Sequence, residues 1–224
     1  MPTEVEMCYL QMVIPLFLTK SKTTYTKEKK QNSMAEQFKK FNDMEFFLDM
    51  QRCIGCHSCE MACAECETNG ETSMIHIHYV DRRETVQTTV QVCMHCDDPI
   101  CANVCPADAI VKDEYGIVHS ADVSKCIGCA NCVLSCPFGV PKIPDQNALL
   151  MMKCNMCYDR TSVGLKPMCA TVCPSGALTF DTKENVAKKR PNSTPIKKFI
   201  FGEEVVTTKV NLMMPKGSEE IKVF

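Results

Sequence analysis

The sequence predicts an α+β chain of two nested units, one inserted within the other, with short β-hairpins, small helices and a C-terminal β-hairpin extension. Three observations lead there. Sixteen of the eighteen cysteines fall into four blocks: Cys53-x2-Cys56-x2-Cys59-x3-Cys63, Cys93-x2-Cys96-x4-Cys101-x3-Cys105, Cys126-x2-Cys129-x2-Cys132-x3-Cys136 and Cys154-x2-Cys157-x11-Cys169-x3-Cys173. Cys-Ile-Gly-Cys recurs at 53–56 and 126–129, and Cys-Pro-x-x-Ala-Ile/Leu at 105–110 and 173–178. The two Cys-Pro repeats each run into a β-prone stretch.

Taken in order, residues 1–43 form an N-terminal extension. Its apolar run from Met7 to Leu18 is interrupted by Gln11 and Pro15, follows no basic region, precedes no small-residue cleavage site and is too short to cross a bilayer. Residues 19–40 are basic and poor in large apolar side chains, which reads as a linker or mobile tail, and Met34 and Met44 offer alternative starts. The core spans 44–181. Met44–Met50 is an apolar strand leading into block one. Ala109-Ile110-Val111 continues through Tyr115-Gly116 to Ile117-Val118 as a hairpin, and Ala177–Phe180 resembles its first arm, with Phe46–Leu48 as the second. Blocks two and three thus form a unit over about residues 85–140, inserted in a unit made by blocks one and four. His76 and His78 alternate along a strand and read as one exposed face. Residues 182–224 are a C-terminal extension: Lys188–Pro191 breaks the pattern, and Lys198–Phe201 with Val205–Val210 reads as a hairpin covering the core.

The block spacing is that of iron–sulfur ligation. In C-x2-C-x2-C the chain wraps a cubane closely, and a fourth cysteine three residues later begins a helical turn and points toward a neighbouring cluster, the arrangement of two-cluster ferredoxins. Both units are therefore ferredoxin-like, and sixteen cysteines supply four 4Fe-4S clusters. Block one departs from the pattern in having Ala64 where proline is usual. Structural zinc also uses C-x2-C pairs, but it does not explain a third cysteine at x2 followed by x3-C-P. A c-type haem at Cys53–His57 would strand Cys59 and Cys63, and a Rieske reading of Cys93-Met-His95 lacks a second histidine loop. A secreted disulfide scaffold would be shorter, with less regular spacing and a leader; the compartment reads as reducing, most simply the cytoplasm. Cys66 reads as a spare structural thiol of the buried kind, and Cys8 lies outside the core.

The formal charge of −2 understates the loaded protein, because four oxidised cubanes with their thiolates bring it to roughly −10. Arg52, Lys125 and Lys153 directly precede the first cysteine of a block, where a cation would favour an anionic cluster or simply be solvated. No G-x-G-x-x-G after a strand, no P-loop and no nucleophile elbow accompanies the cysteines. The chain reads as a wire and not a catalyst.

One stretch is more specific still: Lys153-Cys-Asn-Met-Cys-Tyr-Asp-Arg160, then Gly164, Lys166-Pro167, Cys169 and Cys173-Pro174, with Cys136-Pro-Phe-Gly-Val-Pro141 upstream. Here the chain resembles, from about Met44 to Phe180, the four-cluster iron–sulfur subunits of molybdopterin oxidoreductases, such as those of dimethyl sulfoxide reductase and formate dehydrogenase. The resemblance implies four ligand sets: Cys53, Cys56, Cys59 and Cys173; Cys63, Cys154, Cys157 and Cys169; Cys93, Cys96, Cys101 and Cys136; Cys105, Cys126, Cys129 and Cys132. Some relatives lack a cysteine at or near the position of Cys132 and hold a three-iron cluster; this chain keeps all sixteen. The implied role is electron transfer between a molybdenum or tungsten catalytic subunit and a second carrier, such as a membrane quinone-reactive subunit or a soluble redox carrier, without nucleic acid and without a membrane span of its own. Export as the passenger of a signal-bearing partner is compatible with it. The alternative is a free-standing polyferredoxin or a hydrogenase-associated carrier.

Overall fold

The computed structural model describes residues 43–144 and 150–223. The expectations for the N-terminal extension and for Cys8 lie outside the described residues. β1 (Met44–Leu48) leads through a single 3-10 turn at Met50–Arg52 into α1 (Ser58–Thr68), followed by β2 (His76–Tyr79) and β3 (Thr88–Gln91). Three one-turn helices come next: α2 (Ile100–Asn103), α3 (Asn131–Ser135) and α4 (Tyr158–Thr161). The chain then runs through α5 (Met168–Val172), β4 (Leu178–Thr182), α6 (Lys183–Lys189), β5 (Ser193–Phe201), β6 (Glu204–Pro215) and β7 (Ile221–Val223). The result is mixed helix and sheet.

The main sheet has the order β4-β1-β6-β5-β7. β1 and β4 are antiparallel, with Phe46 opposite Phe180 and Leu48 opposite Leu178. Strand periodicity sends Phe46 and Leu48 to one face and Phe47 to the other. The first face joins a core of Met74, Ile75, Val90, Val92, Met94, Ile117, Val210 and Leu212, while Phe47 packs on Val186 of α6 and on Met213. A second core of Ala109, Ile110, Val118, Ala121 and Met151 lies under blocks two and three. The hairpin expected from Ala109 to Val118 is present but short. It closes at Asp113–Gly116, where the Gly116 amide donates to the Asp113 carbonyl at 3.0 Å, and its arms meet in a single bridge between Lys112 and Val118.

Two features depart from the sequence reading. The stretch through Lys188 and Lys189 ends a helix: Thr182 Oγ1 accepts from the Asn185 amide, Glu184 sits in the first turn and the lysines in the last, each favourable to the helix dipole. The C-terminal hairpin is also longer than expected and is built into the sheet, β6 lying parallel to β1 with Leu212 opposite Leu48. Pro195 is tolerated in β5 because β7 pairs only with Phe199–Phe201, leaving the Pro195 side of the strand at an edge. Past β1, the Lys209 and Val210 amides donate to the His95 and Met94 carbonyls, and the Asp97 amide donates to Thr207. β6 thus ties block one to block two. In the small β2–β3 ladder His78 is exposed and bonds Gln91 at 3.0 Å, while His76 is half-buried near Glu60.

Candidate metal centres

The same two backbone devices recur at the cysteine blocks. In the first C-x-x-C of each block, the residue before the second cysteine is left-handed: Gly55 (φ 65°), His95 (48°), Gly128 (67°) and Met156 (60°). For His95 and Met156 this conformation costs about 1–2 kcal/mol, so the turn is imposed by its surroundings and not chosen locally. After Cys105, Cys136 and Cys173 the chain turns at proline, and the third residue on, Asp108, Gly139 or Gly176, is left-handed and donates its amide to the cysteine's carbonyl at 3.0–3.3 Å.

These turns gather the cysteines around separate cavities. Cys53, Cys56, Cys59 and Cys173 line one, with Ile77, Val90 and Leu178. Cys63, Cys154, Cys157 and Cys169 line a second, whose wall Cys93 also reaches. Cys105, Cys126, Cys129 and Cys132 line a third, with Ile110 and Met151. Cys93, Cys101 and Cys136 lie close enough to Cys96 to help push its thiol up, which completes a fourth group. The thiols ring their cavities: among the described residues no three His, Cys, Asp or Glu side chains stand close enough to share one ion.

The four x3 pairs explain the layout. On α1, Cys59 and Cys63 are buried one turn apart yet open into different cavities. Cys169 and Cys173, Cys101 and Cys105, and Cys132 and Cys136 straddle neighbouring groups in the same way. A helical turn advances only about 5–6 Å. With Cys93 beside Cys154, the groups follow one another in a line: Cys53 group, Cys63 group, Cys93 group, Cys105 group.

The donor chemistry fits an iron–sulfur cluster in each. Burial pushes the Cys59, Cys96 and Cys157 thiols up to about 12 and Cys101 to about 11, so these sulfurs become thiolates only against a cationic core. Backbone amides already point at sulfur: Met74 to Cys63 (3.4 Å), Ala109 to Cys105 (3.3 Å), Met156 to Cys154 (3.3 Å) and Leu178 to Cys173 (3.5 Å). Thr88 Oγ1 adds a donor 3.2 Å from Cys53 Sγ, and Ser58, 3.5 Å from Cys56 Sγ, holds that exposed thiol below its ordinary value. His95 is fully buried between Cys93 and Cys96. Its Nδ1 accepts from the Val118 amide at 3.0 Å, which puts the proton on Nε2, and Nε2 has no acceptor among the described residues. A buried N–H of this kind fits an acceptor supplied by a bound group. Burial and nearby lysines keep the ring neutral.

Sequence reasoning missed Thr88 and His95 as donors, because nothing in their spacing marks them. It treated Arg52, Lys125 and Lys153 alike, whereas Arg52 and Lys125 are exposed and Lys153 is buried. Cys66 is a correction: expected to be buried, it is exposed on the outer face of α1, because Cys59 and Cys63 take the inner one. Among the described residues no helix is long and apolar enough to cross a membrane.

Residues 84–183 match the family model described as a 4Fe-4S dicluster domain. The protein is 38% identical over 157 residues to one polypeptide of the anaerobic dimethyl sulfoxide reductase of Escherichia coli K12, an alignment covering 64% of this sequence and 76% of that one. It is 33% identical over 162 residues to the formate dehydrogenase-O iron-sulfur subunit of the same organism (62% and 53% covered), and 34% over 163 residues to the formate dehydrogenase iron-sulfur subunit of Haemophilus influenzae (62% and 51%). It spans about half the length of these formate dehydrogenase relatives. Fold, cysteine pattern and relatives together define a protein of the 4Fe-4S iron–sulfur class. More particularly, the protein belongs to the family of iron–sulfur subunits found in the dimethyl sulfoxide reductases and formate dehydrogenases.

Proposed function

We propose that the chain carries four 4Fe-4S clusters in two nested ferredoxin-like units and conducts electrons between a molybdenum or tungsten molybdopterin subunit and a second carrier. Cys53, Cys56, Cys59 and Cys173 would hold one cluster, and Cys63, Cys154, Cys157 and Cys169 its neighbour. Cys93, Cys96, Cys101 and Cys136 would hold the third, and Cys105, Cys126, Cys129 and Cys132 the fourth. The single observation that supports this reading is that the two thiols of every x3 pair fall in different cysteine groups, so that each of the four groups adjoins the next. When bound, the clusters supply one-electron storage. The chain's own residues do the rest: amides and Thr88 donate to ligand sulfur, apolar walls keep water from the inner sites, and one helical turn separates neighbouring ligand sets.

The second carrier is a membrane quinone-reactive subunit or a soluble protein. A cytoplasmic site, membrane-associated through the partner, is supported by sixteen cysteines spaced for cluster ligation, the chemistry of a reducing compartment. The test has two parts. Anaerobically purified protein is assayed for iron and acid-labile sulfide, with on the order of sixteen irons expected. It is then mixed with the co-purified molybdopterin subunit and its substrate, and the visible absorption should bleach on the catalytic timescale, while the isolated protein turns over no substrate. Stoichiometric zinc, or turnover by the isolated protein, overturns the reading. Rapid reduction by small soluble donors with no molybdopterin partner co-purifying replaces it with the free-standing polyferredoxin.

A further inference from the structure

Among the described residues the buried charged side chains are Asp49, Arg190, Asp181 and Lys153. The first three are paired: Arg190 with Asp49, and Asp181 with Lys189. Lys153 is 1% exposed, and among the described residues no carboxylate lies within ion-pair distance of its ammonium. Nζ donates to the Val118 carbonyl and, at 3.4 Å, to that of Cys154. Carbonyls solvate a cation without neutralising it, and a buried charge left unneutralised costs several kcal/mol.

The residue is also held in place. Ser120 Oγ donates to the Lys153 carbonyl at 2.8 Å and accepts from the Lys153 amide at 3.1 Å, fixing the backbone on both sides. Val118, whose carbonyl takes the ammonium, donates its own amide to His95, between Cys93 and Cys96. Val118 also packs in one buried cluster with Cys101, and Lys153 is covalently joined to Cys154, a member of the next group. A positive charge is thus clamped where two cysteine groups adjoin.

We propose that Lys153 is a positioning residue whose ammonium is the counter-charge of the anionic centre held by Cys93, Cys96, Cys101 and Cys136, raising that centre's reduction potential relative to the others. The inference rests on the four-cluster reading. Adding an electron makes the centre more negative, and a fixed cation beside it favours the reduced form. Arg52 and Lys125, in solvent, exert little of this effect.

The experiment is an EPR-monitored redox titration of the loaded full chain, wild type against Lys153→Met, Lys153→Gln and Lys153→Arg, with iron content measured first. Cys136→Ala, which removes one of its ligands, identifies the signal of the centre concerned. Lys153→Met is expected to lower that centre's one-electron equilibrium constant at least tenfold, which is 59 mV, with Lys153→Arg staying near wild type and the Cys105 group unmoved. If Lys153→Met takes up no iron, Lys153→Gln decides, since it is neutral but can still donate to Val118. Wild-type potentials in a loaded neutral variant overturn the proposal, as does an equal shift in Lys153→Arg, which would point to packing and not charge. A wild-type protein short of four iron sets overturns the cluster reading itself, and that is seen before any variant is titrated.

Discussion

Replacing Arg190 by methionine should weaken the junction between β1 and the Cys173 turn. Arg190 Nη1 donates to Asp49 Oδ2 at 2.6 Å, both side chains only 7% exposed, and Nη2 donates to the Gly176 carbonyl. The Asp49 amide in turn donates to the Ala177 carbonyl at 2.8 Å, so one guanidinium joins the exit of β1 to the loop between Cys173 and β4. Arg190→Met keeps an apolar stem but strands a buried carboxylate. Breaking a buried pair from one side costs about 3–5 kcal/mol. Arg52, 3.7 Å from Asp49 with half its side chain in solvent, returns at most about 1 kcal/mol, leaving a net loss of about 2–4 kcal/mol. Cluster loss makes unfolding irreversible, so the observable is a rate. If the pair is already broken in the unfolding transition state, the visible absorption should bleach about 30 to 900 times faster in anaerobic guanidinium. Adding Asp49→Leu removes the stranded charge and should recover most of the loss. A single variant within threefold of wild type, or a double variant no slower to bleach than the single, would refute the reasoning.

Cys132→Ser should disturb one centre and leave the signals of the other three, read by EPR of the reduced protein; loss of every signal from a chain that still folds contradicts separate ligand sets. Gly55→Ala should speed thermal bleaching more than Gly164→Ala: both positions are left-handed, but at Gly55 the new Cβ would meet Thr88 Cγ2 at 2.9 Å, whereas at Gly164 nothing lies within 4 Å. The strain alone costs about 1–2 kcal/mol, and the difference between the variants isolates the clash. Loading should release protons. Cys59, Cys96 and Cys157, pushed up to about 12 by burial, are protonated at working pH and must deprotonate to bind metal, so apparent affinity for iron rises with pH below that value; pH-stat titration of reconstitution checks it, and reconstitution without acidification counts against it.

The four cysteine blocks and their iron–sulfur chemistry were legible because C-x2-C and x3-C-P spacing is local, whereas which sulfurs of different blocks would share a cavity is not written in that spacing and came only from the family resemblance. The pairing of Phe46–Leu48 with Leu178–Phe180 was also readable, from the internal repeat. The insertion of β6 beside β1 was not, since a hydrophobic strand advertises its period and not its partner. Lys153 shows the same limit from the other side. Its sequence position matches that of Arg52 and Lys125, and only the fold over it, through Val118 and Ser120, separates a buried cation from two solvated ones. The helix through Lys189 escaped notice because seven residues carry too little periodicity to announce it.

Asn211 of β6 donates to the Phe46 carbonyl and the Glu45 carboxylate, and the first of these contacts closes a gap of 165 residues. At about 5–20 residues per second, a ribosome takes roughly 10–30 s to cover that gap. Throughout that interval β1 has been made but the neighbour on its inner edge has not, and the first cysteine block lies uncovered on a nascent polypeptide. Iron delivery to this end of the molecule therefore has its natural window during and just after synthesis, before β6 closes, and a cell short of iron would accumulate molecules with an unprotected strand edge open to mispairing.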